Sequence, residues 1–136
     1  SVTTIGYSAF SGCDNLTTIT IPDSVETIGD YAFYYCYGLN EISLPSTLKT
    51  IGANAFSNCS NLQAIHVKDL ETWFNLCVKM QYENPLADSG SSKAVVYINN
   101  EPLAGHVTIP ESIRAIGPYA FYKQAVTELS IPSTVI

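Results

Sequence analysis

Apolar residues recur along this chain with a period of 23 residues. The repeating pattern is V-x-x-I-G-x-x-A-F-x-x-C-x-x-L-x-x-I-x-I-P, and the positions between its fixed members are mostly polar. Successive copies start at Val2, Val25 and Leu48, and a shorter copy without a cysteine starts at Ile113. Self-similarity at a fixed period predicts a solenoid in which each repeat forms one coil.

The two halves of the repeat predict different elements. The L-x-x-I-x-I part alternates with period two, which indicates a short strand, and the proline after it ends the strand because proline has no N–H for the ladder. The A-F-x-x-C-x-x-L part has the three- and four-residue spacing of a helix, so we expect a short helical turn on the opposite wall. The glycine before it is expected to permit a tight corner.

Stacking explains which positions stay constant. One coil cannot bury its apolar side alone, so like residues must lie on like residues while outward positions are free to vary. Stacked strands would form a parallel sheet with a spacing of about 4.8 Å. We predict coils over residues 2–24, 25–47, 48–68, 104–112 and 113–136. The pattern is incomplete at both ends, so we expect a segment of a longer protein.

The repeat register breaks after Val67, and we assign residues 69–103 to an insertion within a fourth coil. Asp69 is the predicted N-cap of a helix, "ENPLADSGSSK" is predicted to be a mobile polar loop, and residues 94–98 are strand-like. Trp73 is interpreted either as a core residue of the helix or as a platform for a ligand. The residues that share one stripe of the predicted helix are Leu70, Trp73, Phe74, Cys77 and Val78.

The repeat resembles the leucine-rich repeat of the bacterial surface-antigen type, called BspA-like or Treponema-type. The resemblance rests on I-G-x-x-A-F-x-x-C-x-x-L-x-x-I-x-I-P, as in residues 28–45, and covers nearly the whole chain outside 69–103. It implies an α/β solenoid, wound as a right-handed coil, with a parallel β-sheet on one face and short helical turns on the other. Family members often carry an insert with a tryptophan-bearing helix and an Asn-Pro-Leu, here at residues 84–86.

Hydroxyl residues stand where the general leucine-rich pattern has Asn or Cys. They are interpreted either as donors to the backbone of the adjoining coil or as ordinary turn residues after proline. These residues are Ser24, Thr47, Ser112 and Thr134.

Charge and composition exclude some classes of partner. The 136 residues carry a net charge of −6, and the six basic residues are scattered, which argues against a nucleic-acid-binding patch. No apolar run approaches the roughly 20 residues that span a bilayer, so we expect no membrane insertion in this segment.

Three cysteines recur at the repeat period and should stack on one wall, where neighbouring thiols could reach bridging distance. Three thiols cannot all pair, and no C-x-x-C indicates a zinc site, so we interpret Cys13, Cys36 and Cys59 as buried free thiols. No G-x-S-x-G, P-loop or G-x-G-x-x-G occurs. We therefore expect no enzyme activity, no catalytic residues, no cofactor and no metal.

The two histidines are the remaining candidates for a metal site. If the insertion loops out cleanly, His66 and His106 lie diagonally on the open sheet face, roughly 7–8 Å apart, with Glu41 or Glu128 as a further ligand. The favoured interpretation is two exposed, unrelated histidines.

The outward side chains of the ladder strands form the predicted binding face. The resemblance implies a secreted or cell-surface bacterial protein with a protein partner, as in an adhesin; a glycan partner, a structural spacer and an accessory domain of a larger protein are the alternatives. The tyrosines at 31, 34, 35 and 37 either form a recognition patch or shield the wall. The residues of the predicted face are Thr18, Thr20, Glu41, Ser43, Ala64, His66, His106, Thr108, Glu128 and Ser130.

Overall fold

Short parallel strands stack from coil to coil in the computed structural model, which describes residues 1–80, 84–91 and 93–136. Helices α1 (Leu70–Met80) and α2 (Pro85–Asp88) lie between the sixth and seventh strands. The strands are β1 (Thr4–Ile5), β2 (Thr18–Thr20), β3 (Thr27–Ile28), β4 (Glu41–Ser43), β5 (Thr50–Ile51), β6 (Ala64–Val67), β7 (Val95–Ile98), β8 (Glu101–Pro102), β9 (Gly105–Thr108) and β10 (Val126–Ser130).

The strands form three sheets. The largest has the order β2-β4-β6-β7-β8, with β8 antiparallel to β7 and the other pairs parallel. Its register steps by one repeat, from Thr18 to Glu41 to Ala64, as the 23-residue period predicts. A second parallel sheet has the order β1-β3-β5, and β9 and β10 form a third.

The repeated apolar residues fill a shared interior. The rings of Phe10, Phe33 and Phe56 stack with centroid distances of 5.3 and 5.2 Å and lie within 4° and 8° of parallel. Phe33 and Phe56 are fully buried, while Phe10 has a neighbouring ring on one side only and is partly exposed. Full burial of such a side chain contributes roughly 1.5–3 kcal/mol, so the stacked column is a main source of stability.

The wall that contains the A-F-x-x-C segment is built of β-turns, and the prediction of a short helical turn there is wrong. In the second coil, Ala32 N–H donates to Gly29 and Tyr34 N–H donates to Tyr31, which are three-residue turn bonds. The alternate amides turn outward: Phe33 N–H donates to the Ala55 carbonyl of the next coil at 2.8 Å. Amides that a helix would use internally therefore tie one coil to the next.

Three of the four hydroxyl residues donate to the backbone of the adjoining coil, which confirms that interpretation for them. Ser24 donates to the Val2 carbonyl at 2.6 Å and Thr47 to the Val25 carbonyl at 2.9 Å. Thr134 donates to the Ile113 carbonyl at 3.1 Å. Each hydroxyl satisfies a backbone carbonyl of the preceding coil, the task that the general pattern gives to Asn.

The repeat glycine is needed for close approach between coils rather than for a corner with positive φ. A Cβ at Gly29 would lie 2.9 Å from both the carbonyl carbon of Gly6 and the amide nitrogen of Tyr7. A Cβ at Gly52 would lie 2.7 Å from the carbonyl carbon of Gly29. Side chains do not fit at such distances, so glycine lets two backbones pack directly.

Helix α1 takes the place of a turn wall before the last coil. Gly117 packs directly on the Cys77 and Val78 backbone, as the other repeat glycines pack on a preceding coil. Trp73 Nε1 donates to the Ala120 carbonyl at 2.9 Å. In the first coils the equivalent carbonyl, that of Ala32, accepts from a backbone amide, so an indole replaces a missing backbone donor.

The predicted stripe of α1 is correct in part. Asp69 caps the helix by accepting from the Thr72 amide at 2.8 Å, and hydrogen bonding by Thr72 lowers the pKa of the Asp69 carboxyl. Trp73 is fully buried, in agreement with its interpretation as a core residue, but Val78 is 41% exposed. The helix packs between two coils, so its buried face extends toward Leu76 and Met80 instead.

The segment predicted as a mobile polar loop is largely ordered and buried. Asn84 caps α2 by accepting from the Leu86 amide at 2.9 Å, and its side-chain amide donates to the Pro118 carbonyl at 3.4 Å. Ser91 is buried and donates to the Leu62 carbonyl. The polar residues are needed inside because they satisfy backbone groups of the flanking coils. Glu83 and Ser92, which the same prediction covers, lie outside the described residues.

The main sheet continues through β7 rather than through β9. Ala64 pairs with Val95 and His66 with Tyr97, so part of the predicted insertion forms the next ladder strand. The coil predicted over residues 104–112 was expected in that place, and this prediction is wrong. Residues 94–98 carry the same inward and outward alternation as β6, and β8 then folds back over the edge of β7 in a hairpin.

Replacement of the repeat glycine tests the close packing of coils. We expect Gly52→Ala to lower the free energy of unfolding by about 1–3 kcal/mol, because the new methyl group forces two backbones apart. Gly6→Ala is a matched control at the same repeat position, where an added Cβ would have no atom within 4 Å, and should change it by less than about 0.5 kcal/mol. Urea unfolding measures both; equal losses would contradict close approach as the reason for glycine.

Candidate binding surface

The open face of the main sheet presents two rows of outward side chains. The first row runs through Thr18, Glu41, Ala64 and Val95 in direct register. The small Ala64 side chain is buried, so the surface is shallow between its neighbours Glu41 and Val95. The second row consists of Thr20, Ser43, His66 and Tyr97.

His66 is the centre of the polar part of this face. Its Nε2 lies 3.7 Å from a carboxylate oxygen of Glu41, diagonally across two strands. Its ring stacks on that of Tyr97, with centroids 5.0 Å apart and planes 21° from parallel. The three side chains thus combine a negative charge, a titratable ring and an aromatic surface in one place.

Tyr97 is a residue of this face that the repeat pattern did not reveal. The signal was present, since A-V-V-Y-I has the same alternation as the A-I-H-V of β6. Tyr97 was assigned to the insertion because the repeat pattern of glycine, alanine and phenylalanine is absent before it.

The structure divides the predicted face between two sheets. Thr18, Thr20, Glu41, Ser43 and His66 lie on the main sheet. Ala64 lies there too. The remaining four lie on the β9–β10 pair, where His106 Nε2 and the Ser130 hydroxyl form a hydrogen bond of 2.7 Å. The remaining members on that pair are Thr108 and Glu128, with Glu128 in register with His106 and Thr108 with Ser130.

The two histidines are not neighbours, because β7 occupies the position beside β6. His66 is on the main sheet and His106 on the two-stranded one. Over the described ranges, no group of three or more His, Cys, Asp or Glu side chains is arranged to hold a metal ion. The diagonal pair considered as a metal site is therefore not formed.

The stacked cysteines are free thiols, as predicted. Cys36 donates to the Phe10 carbonyl at 3.0 Å and Cys59 to the Phe33 carbonyl at 3.2 Å, so each thiol contacts the preceding coil. Burial raises the pKa of Cys36, and it raises the pKa of Cys59 and of Cys77 to about 12. Cys13 is only partly buried. High pKa values make the buried thiols poor nucleophiles and poor metal ligands.

Parallel strands in 23-residue coils around a column of phenylalanines define a leucine-rich-repeat protein. The model of the BspA type leucine rich repeat region matches residues 1–81 and 94–136, in six copies. The chain therefore belongs to this family, as the repeat pattern indicated. Residues 94–103, which were predicted to belong to the insertion, fall inside the matched region.

Two solved structures are similar to the chain. A leucine-rich repeat protein from Bacteroides ovatus is 29% identical, with a TM-score of 0.53, and the alignment covers 98% of this chain and 30% of that one. A leucine rich cell surface protein from Faecalibacterium prausnitzii is 26% identical, with a TM-score of 0.43 and coverage of 98% and 32%. The chain thus spans about a third of the length of each. A search of curated proteins gave no match.

In residues 1–80, 84–91 and 93–136, no helix is both long enough and apolar enough to cross a membrane.

The buried thiols should make stability fall at high pH. In the unfolded chain Cys59 loses its proton near pH 9, whereas in the folded chain it keeps the proton up to about 12. The unfolded state therefore binds fewer protons between these values, and the thiol lowers the free energy of unfolding by about 1.4 kcal/mol per pH unit there. Urea unfolding of wild type and Cys59→Ala under reducing conditions, from pH 8 to 11, measures the difference in slope.

Cys13→Ala is the control, because it removes a repeat thiol that is only partly buried. Parallel profiles for wild type and Cys59→Ala would contradict the assignment of Cys59 as a thiol that is held neutral by burial.

Proposed function

We propose that this chain is a non-enzymatic, protein-binding module of a secreted or cell-surface bacterial protein, and that it binds through the open face of the β2-β4-β6-β7 sheet. The observation that carries the proposal is the pair of outward rows centred on His66. Inward positions are fixed by stacking, so the outward ones are free to be selected for a partner. Membership of the BspA-type family supports the cell-surface setting.

The chemistry of the face favours a protein partner. Glu41 is exposed and His66 is partly exposed, with side-chain exposures of 55% and 30%, so both are accessible yet held against each other. Tyr97 adds rigid aromatic area beside them, and tyrosine is enriched at protein interfaces. Hydroxyl groups of Thr18, Thr20 and Ser43 surround this centre and can donate or accept.

The β9–β10 pair provides a separate polar patch. His106, Thr108, Glu128 and Ser130 remain predicted binding residues, but they belong to a different sheet from His66. A partner large enough to cover both patches would contact them as two areas. Substitution on each sheet therefore reports on each patch independently.

Alanine substitution on the two sheets tests the proposal. Purified chain is screened against a panel of purified extracellular host proteins and a glycan array, and affinities are measured by biolayer interferometry. We expect Glu41→Ala and His66→Ala each to weaken binding of a protein partner by at least about fivefold, since central contacts of an interface exceed about 1 kcal/mol. Glu128→Ala reports on the second patch.

Thr50→Ala, an exposed position on the β1-β3-β5 sheet, is the matched control and should leave affinity unchanged. Unchanged binding of a partner by both Glu41→Ala and His66→Ala would exclude this face as the site. Binding to no protein would support a spacer, and binding only to glycans would support a carbohydrate-binding accessory domain.

A further inference from the structure

Five tyrosines form a continuous chain of ring contacts on the turn wall of the first two coils. Tyr34 contacts Tyr31 at a centroid distance of 5.2 Å and Tyr35 at 4.1 Å. Tyr7 extends the chain beyond Tyr31 at 5.9 Å, and Tyr37 extends it beyond Tyr35 at 5.5 Å. Tyr7, Tyr35 and Tyr37 are exposed, at 74%, 40% and 46%. We call these five residues the tyrosine cluster.

The centre of the cluster recurs in the last coil with one informative difference. Tyr119 and Tyr122 occupy the repeat positions of Tyr31 and Tyr34, and both pairs meet edge to face at 88°. In the last coil the ammonium of Lys123 lies 4.9 Å from the centre of the Tyr122 ring, a cation–π contact. The pair there already has its own cation.

The tyrosine cluster has no such cation of its own. The repeat position of Lys123 is filled by Tyr35, and the two residues share the same backbone conformation, with φ of 56° and 57°. Residues 1–48 contain no lysine or arginine at all. Across the described ranges, the Lys123 contact is the one in which a cationic side chain covers an aromatic ring.

The first two coils, up to residue 48, carry carboxylates and no basic side chain: Asp14, Asp23, Glu26, Asp30 and Glu41. Glu26 is paired with Lys49 of the third coil at 2.7 Å, and Glu41 lies on the main sheet, so Asp14, Asp23 and Asp30 carry the remaining negative charge. Their field favours a cation at this end of the chain over an anion.

Tyrosine is retained in the cluster at positions that disfavour it. Tyr31 and Tyr35 have φ of 57°, which is uncommon for bulky residues. The next coil has Asn54 and Asn58 at the same positions, and asparagine adopts this conformation more readily. The fold imposes this conformation in every such coil, since Ser8 and Tyr119 share it, and tyrosine at two such positions of one coil is a choice that folding alone does not favour.

We propose that the tyrosine cluster binds a lysine or arginine side chain of a partner protein by cation–π contacts with its exposed rings, those of Tyr7, Tyr35 and Tyr37. The site is on the turn wall, separate from the main sheet, so it adds a second contact area to the proposed binding module. The phenols supply ring faces, and the carboxylates of the first two coils supply the attracting charge.

The probe is a pair of capped pentapeptides, acetyl-Gly-Arg-Gly-Arg-Gly-amide and its citrulline counterpart, which has the same shape without the charge. Tyrosine ring signals are followed by NMR during titration of the full 136-residue chain. We expect the arginine peptide to shift the signals of the tyrosine cluster and to bind about five- to thirtyfold more tightly than the citrulline peptide, for two contacts of ordinary strength.

Two substitutions test the role of the internal cation, one by adding a lysine to the tyrosine cluster and one by removing Lys123 from the last coil. Tyr35→Lys gives the cluster its own cation at a position whose backbone Lys123 already adopts, so binding of the arginine peptide should fall at least about tenfold. Lys123→Asn removes the internal cation and keeps a residue that tolerates positive φ, so the signals of Tyr119 and Tyr122 should begin to respond to the arginine peptide. Thermal unfolding confirms that each variant folds.

Several outcomes would overturn the proposal: equal affinity for the arginine and citrulline peptides, full binding by Tyr35→Lys, or shifts confined to residues outside the cluster. Loss of glycan-array binding in Tyr35→Lys, without any response to the arginine peptide, would identify a sugar platform instead.

If Tyr35→Lys does not fold, Tyr37→Ala replaces it and should weaken arginine-peptide binding about two- to fivefold, as removal of one exposed ring predicts. Failure here leaves the Glu41 and His66 experiment unaffected, because that face is on another wall.

Discussion

Backbone contact between successive coils is the constraint on which the rest of the structure depends. On two walls, strand pairing joins each coil to the next. On the third wall, alternate turn amides donate to the next coil. The coils must therefore stay one strand spacing apart everywhere, which leaves no room for a side chain at Gly29 or Gly52. The same spacing places each phenylalanine ring on the next, at 5.2–5.3 Å. Hydrogen bonding and apolar packing thus require the same spacing between coils.

The insertion is tolerated because its side chains form the hydrogen bonds to the flanking coils that the backbone of another coil would have formed. Trp73 supplies an N–H to Ala120, and Asn84 supplies one to Pro118. On the other side, Asp88 accepts from the Phe56 amide at 3.2 Å, where the next coil would have placed a carbonyl. A helix and a capped turn therefore replace a wall of β-turns without leaving these backbone groups unsatisfied.

The sequence predicted the parts of the fold that follow from periodicity alone. The parallel strands, the phenylalanine column, the free thiols and the helix capped by Asp69 all follow from the spacing of apolar and capping residues. The turn wall was missed because β-turns in succession give the same three-residue spacing as a helix. The available signal was asparagine at 54 and 58, a turn residue that tolerates the positive φ found there. The right-handed winding stays a prediction.

The candidate site was predicted in its residue types but not in its grouping. Which strand follows β6 depends on how far residues 69–103 travel before returning to the sheet, and no local pattern encodes that distance. Tyr97 was missed and His106 was placed beside His66 for this reason. The residue-by-residue predictions for strands β2, β4 and β6 needed only the repeat register, which stacking enforces.

Hydrogen exchange at the turn wall tests the account most directly. Native-state exchange followed by NMR compares the amides of Phe33 and Tyr35, which donate to the next coil, with that of Leu44, which donates between main-sheet coils. If the coils are tied on every wall, all three exchange slowly and with similar protection, because they open together. Fast exchange of Phe33 and Tyr35, beside a protected Leu44, would show that the turn wall does not hold the coils and would contradict the account.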